Sequence, residues 1–190
     1  MNVFASIDFA FSMRKEADST SIVVVGVDGN SNYYILDIDR FKTPLISEYF
    51  RHILSLHQKW DFRKIRAEVT VAQEAIVKSI KEDYIRPHGL SLSVEEYRPT
   101  RALGNKEERI NAILQPKYNN KQIWHYHGGF CQILEEELTM QNPAHDDVKD
   151  ALASAIDICI PPSGSSMLSW SLGSQEKRNS MSHNRFGGLA

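Results

Sequence analysis

Ser21-Ile22-Val23-Val24-Val25-Gly26-Val27 is an almost unbroken β-branched run, and it constrains the fold more than any other stretch. β-Branched side chains favour the extended chain. A strand that is apolar at successive positions, without polar alternation, is buried on both faces. A sheet built around it needs cover on two sides, which calls for helices elsewhere in the chain.

The flanking segments fit. Val3 to Phe11 alternates as a strand, and Asp28-Gly29-Asn30 is turn chemistry leading to a returning strand over Tyr33–Ile38. The opening therefore reads as an antiparallel three-strand meander. From Thr43-Pro44 the apolar period becomes helical and continues to Trp60, with Thr43 as N-cap and Pro44 in the first turn. Strands follow at Lys64–Val69, Leu90–Tyr97 and Gln122–Tyr126. They alternate with helices at Ala72–Ile85, Asn105–Leu114 and Phe130–Leu138, and a last helix runs from Asn142 to about Ile160. The order βββαβαβαβαα predicts an α/β fold with a mixed sheet flanked by helices.

Pro161-Pro162 closes the last helix, and the composition then turns Ser-rich and loses its periodicity. We expect a folded domain over 1–162 and a flexible tail over 163–190. The formal net charge of −2 excludes a histone-like DNA coater, so nucleic-acid contact must rest on a local basic patch or on bound cations. Two cysteines, neither in a CxxC pair, point to a reduced cytoplasmic protein without structural zinc. No apolar run approaches the roughly 20 residues that span a bilayer.

The chemistry concentrates in His145-Asp146-Asp147-Val148-Lys149-Asp150-Ala151-Leu152-Ala153, where three carboxylates fall within five residues at a helix start. One or two such acids are explained by the helix dipole, each contributing roughly 0.3–1 kcal/mol. The full set suits a hard divalent cation, which takes oxygen ligands. The apolar stripe of this helix is Val148, Ala151, Leu152, Ala155, Ile156 and Cys159. Asp147 borders that stripe, whereas Asp146 and Asp150 are expected to turn further toward solvent. Two other acids stand out. Asp8 interrupts the first strand, and Glu68 lies opposite Ile65, Ala67 and Val69. With the fourth strand beside the first, Asp8, Glu68 and Asp147 would converge, and two ions about 4 Å apart could clamp a phosphodiester.

These motifs resemble the nuclease domain of tailed-bacteriophage large terminase subunits. The similarity lies in Asp8-Phe9-Ala10, in Ala17 to Val24, in Glu68-Val69-Thr70-Val71-Ala72-Gln73, in Lys106 to Ile110 and in His145 to Leu152. It runs from about residue 3 to 160. The resemblance implies a ribonuclease H-like fold with strands one and four adjacent. It also implies a two-metal endonuclease, using Mg²⁺ or Mn²⁺, that cuts concatemeric viral DNA during genome packaging. Asp8, Glu68 and Asp147 match the acidic triad, and Asp146 and Asp150 match auxiliary positions. The implied partners are double-stranded DNA, the terminase ATPase, the small subunit and the portal, in the host cell cytoplasm. No GxxxxGK[ST] phosphate loop occurs in the sequence, so the motor is expected on another part of a longer chain or on a separate one.

Arg98, Arg101 and Lys106 surround a Gly-containing loop before a helix, a setting suited to DNA phosphates. His125 and His127 share a strand face, but without nearby Cys or a third close ligand a structural or surface role is expected. Two rivals share some features. A RuvC-type junction resolvase has the same Asp-x-x-Asp-Ala-Leu-Ala pattern, and a non-catalytic DNA or portal docking module would keep the acids only as a helix start.

Overall fold

The strand β2 (Thr20–Val27) is the axis of the molecule, with all eight of its residues buried. In the computed structural model, residues 1–10, 19–70, 73–98, 105–140, 143 and 145–163 are described. β2 pairs antiparallel with β1 (Asn2–Asp8) on one side and with β3 (Tyr33–Phe41) on the other, forming the expected meander. The Asp28 carboxylate accepts the backbone N–H groups of Asn30 and Asn32, which fixes the β2–β3 turn. β4 (Lys64–Glu68) runs parallel to β1, β5 (Ser93–Tyr97) parallel to β4, and β6 (Ile123–Trp124) parallel to β3. The sheet order is β5-β4-β1-β2-β3-β6.

Helices cover both faces, as a doubly buried β2 requires. Ile22, Val24, Ala5, Ile7, Ile65 and Ala67 pack under α1 (Ile46–Trp60) and α2 (Glu74–Ser79). A π-helical turn over Ile80–Ile85 extends α2. Val23, Val25, Val27, Ile35 and Ile38 pack under α3 (Lys106–Asn119), α4 (Cys131–Thr139) and α5 (Asp147–Asp157). Alternation along β1 therefore sends Ile7 to the first layer and Ser6 and Asp8 to the second.

Element order follows the sequence reading, while several boundaries move. α1 begins at Ile46, and Thr43 Oγ1 accepts the Leu45 N–H at 3.1 Å, shaping the approach to the helix without capping it. α3 continues past Leu114 to Asn119 because Pro116 falls in its last turn, where little of the helix remains to disrupt. α5 ends at Asp157, and its helical dihedrals begin at Asp147. Both cysteines are free. The expected tail lies outside the described residues beyond 163. Among the described residues no helix is long and apolar enough to cross a membrane.

Candidate active site

Parallel pairing of β1 with β4 aligns Ile7 with Ala67, so the next residues, Asp8 and Glu68, end adjacent strands at the same level. The amphipathic helix α5 packs across β1, β2 and β4. Its carboxylate Asp150 meets Asp8 and Glu68 in one recess, together with Ser6, Ala151 and Ser154. Three acids from distant parts of the sequence thus share one site.

Asp147 plays a different part. Its Oδ2 accepts hydrogen bonds from Ser21 Oγ at 2.6 Å and from Arg40 Nε at 2.8 Å, and its Oδ1 accepts from Arg40 Nη2 at 3.1 Å. The side chain is 2 % exposed, so this carboxylate is spent on a buried, bidentate ion pair. Asp150 is only 6 % exposed and does not point to solvent as the helical wheel alone suggests. The wheel knows one apolar stripe, but α3 covers a second face of α5 and buries it. Asp146 stays at the rim, 40 % exposed.

Lys106, the first residue of α3, reaches into the acids. Its Nζ lies 3.0 Å from Asp150 Oδ2, 3.3 Å from Asp146 Oδ1 and 4.0 Å from Asp8 Oδ2. One turn on, Arg109 Nη2 lies 3.7 Å from Glu68 Oε1. Asn105 fixes this helix start with a complete capping box, its side chain accepting the Glu108 N–H and the Glu108 carboxylate accepting the Asn105 N–H. Among the described residues no three His, Cys, Asp or Glu side chains close into a ready metal cage.

Electrostatics follow from this crowding. Burial and the neighbouring Asp150 charge push the Asp8 carboxyl up to about 8, against the pull of Lys106. Burial and Asp150 also raise Glu68, opposed by Arg109 and Lys106. Burial acts to raise Asp147 as well, but its bonds from Arg40 and Ser21 outweigh it and hold the carboxyl below its ordinary range. Lys106 is held charged, because its acidic neighbours outweigh the cost of its burial.

Sequence reasoning missed four contributors. Ser21 carried a signal, since it is a polar residue opening an apolar strand. Arg40 carried none, because a cation near a strand end is ordinary. Arg109 is visible only once Lys106 is known to face inward, being i+3 on the same helix. Glu137, 3 % exposed, accepts the Lys149 N–H at 2.7 Å and so serves the first turn of α5 from α4. Burial pushes Glu137 up to about 7, despite the bonds from Lys149 and Val148.

Of the expected DNA contacts, Lys106 pairs with Asp150 and Asp146 beside the recess, and Arg98 pairs with Glu74 at 2.9 Å on the surface. Arg101 lies outside the described residues. His125 Nε2 bonds Tyr118 Oη at 2.7 Å, in keeping with a structural role. A separate cleft of about 670 Å³ opens between α3 and α4, lined by Leu114, Tyr118, His125 and Glu137. None of Asp8, Glu68 or Asp150 faces it, so it is remote from the acidic chemistry.

Comparison with solved structures places the fold. The large terminase nuclease of thermophilic phage G20c superposes with a TM-score of 0.59 at 13% identity, over 84% of this chain and 83% of that one. The nuclease domain of the large terminase subunit of bacterial virus Sf6 gives 0.56 at 12% identity, over 82% and 88%. The yeast mitochondrial Holliday junction resolvase gives 0.52 at 11% identity, over 80% and 77%. No curated protein sequence matches the chain. Residues 13–123 match the family model described as "Terminase Bacteriophage T7, Ribonuclease H-like domain", which is more than half of the chain. With the sheet order, the flanking helices and that match agreeing, this chain belongs to the T7-type terminase ribonuclease H-like domain family.

Proposed function

We propose that the domain hydrolyses phosphodiester bonds of double-stranded DNA with two divalent cations, Mg²⁺ or Mn²⁺, held by Asp8, Glu68 and Asp150. It would cut concatemeric viral DNA for genome packaging, alongside a terminase ATPase, a small subunit and a portal. The observation that carries this reading is the meeting of Asp8, Glu68 and Asp150 in one recess at the ends of β1 and β4.

The residues fit the group. The donors are all carboxylate oxygens, as hard cations require. Ser6 Oγ and Ser154 Oγ, buried at the same recess, have no hydrogen-bond partner among the described residues. Their oxygens are unused acceptors beside the carboxylates. Bound cations would stabilise charge on the reacting phosphate and favour ionisation of the attacking water. The protein's part is positional. β1 and β4 fix Asp8 and Glu68, the Asp147–Arg40–Ser21 contacts hold the start of α5, and Asp150 follows one turn on. Asp146, at the rim, is an auxiliary ligand in this scheme, and Asp147 an anchor for the site. Lys106 and Arg109 are the described cations that pair with the acids and would meet an incoming phosphate, with Arg98 and, from the sequence alone, Arg101 as further candidate contacts.

Incubation of supercoiled plasmid with Mg²⁺, Mn²⁺, Ca²⁺ or EDTA tests this. Nicking and linearisation are expected in Mg²⁺ or Mn²⁺, with none in EDTA or for Asp8→Asn. Cutting of a four-way junction far faster than linear duplex would replace the reading with a resolvase. Binding without nicking in every metal would replace it with a docking module.

A further inference from the structure

Helix dipoles disfavour cations at their first turn, because the exposed N–H groups there carry positive charge. Lys106 is nevertheless the first residue of α3, set there by the Asn105–Glu108 capping box. Its ammonium turns toward three carboxylates, with Asp150 the nearest at 3.0 Å. Arg109 repeats the arrangement on Glu68. The pair sits at i and i+3, so one helix face carries two cations into the acids.

We propose that Lys106 is the resident counter-ion of the acidic site and competes with the metal for Asp8 and Asp150. This rests on the metal-binding reading above and deepens it. A divalent ion between these carboxylates and an ammonium 3.0 Å from one of them repel each other strongly, so they exclude each other. Lys106 therefore holds the three acids together in the metal-free protein and withdraws as the ion enters. Its side chain is 42 % exposed, so a route outward into water is open. The device would keep the metal-free domain folded at the cost of metal affinity.

The test is calorimetric titration with Ca²⁺ in the absence of DNA, on wild type, Lys106→Gln and Lys106→Arg. Lys106→Gln should bind about tenfold tighter, with Lys106→Arg near wild type. The melting-temperature gain on saturation with Ca²⁺ should also be larger for Lys106→Gln, because only its metal-free state lacks a counter-ion. Equal or weaker binding by Lys106→Gln overturns the proposal. Should Lys106→Gln fail to fold, the lysine ¹⁵Nζ resonances of the wild type decide. The Lys106 signal must move as Ca²⁺ is added, and a fixed signal through saturation overturns the exchange. Failure of the wild type itself to bind Ca²⁺, Mg²⁺ or Mn²⁺ would instead sink the metal-binding reading.

Discussion

Ser21 and Asp147, 126 residues apart in sequence, meet at 2.6 Å and fasten the start of α5 to the central strand. Arg40 completes the fastening from β3. At the far end of the helix, the Arg66 guanidinium bonds Asp157 and ties α5 to β4. The helix that presents Asp150 is thus held at both ends by ion pairs to the sheet. Removing one partner of a buried pair leaves the other charge uncompensated.

Asp147→Asn should therefore act chiefly on stability. A loss of about 3 kcal/mol in urea unfolding is expected, since the Arg40 guanidinium, only 19 % exposed, loses its bidentate pairing with this carboxylate. The double variant Arg40→Met, Asp147→Leu should recover much of it. If the single variant unfolds at the wild-type urea concentration, Asp147 is not the anchor described.

Asp8→Asn, Glu68→Gln and Asp150→Asn should behave in the opposite way. Each should lower plasmid cleavage by about 100-fold or more. Without metal, Asp8→Asn should keep or raise the melting temperature at neutral pH, by about 2–4 °C, because Asp8, raised to about 8, must take up a proton on folding and the variant removes that cost. A variant that melts well below wild type would show that carboxylate to be structural.

Much of this was legible in the sequence, and the parts that were not have physical reasons. The β-branched run of β2 implied two covered faces because only burial makes unalternated valines favourable. Parallel β1 and β4 then brought Asp8 and Glu68 together, since strand ends in register share a level. Periodicity set Asp147 at the edge of the buried stripe, where it lies, but erred at Asp150. It gave the angle between them but not the placement of α3, and α3 decides that Asp150 is buried against the acids. Arg40 was invisible for a similar reason: its role exists only after β3 and α5 have packed. The shared terminase motif carried the family, while the choice of which acid faces the recess needed three dimensions.

Glu137 supplies a pH prediction. Its carboxyl rises from an ordinary 4.5 to about 7 in the folded protein through burial, with repulsion from Asp147 adding to it. A raised folded value means its stabilising contribution is complete below about 4.5 and is lost as pH climbs through about 7. Glu137→Gln keeps an acceptor for the Lys149 N–H but cannot ionise. The unfolding free energy of wild type minus that of Glu137→Gln should accordingly fall between pH 5 and pH 8. A difference independent of pH in urea titrations would show that Glu137 remains ionised throughout.

Lys106 supplies the last prediction, which joins metal loading to DNA. Its ammonium is paired with Asp150 and Asp146, so until a cation displaces it Lys106 has little to offer a phosphate. With Ca²⁺ bound, the competition described above releases it beside the recess, where a DNA backbone would lie. Lys106→Gln should then weaken duplex binding about 3- to 10-fold in Ca²⁺ at moderate salt and leave it unchanged in EDTA. The slope of binding against salt should flatten by about one phosphate contact in Ca²⁺ alone. Fluorescence anisotropy on a labelled duplex reads both quantities. An equal loss in Ca²⁺ and EDTA would mean that Lys106 meets DNA regardless of the metal, and the coupling between the two ligands would be absent.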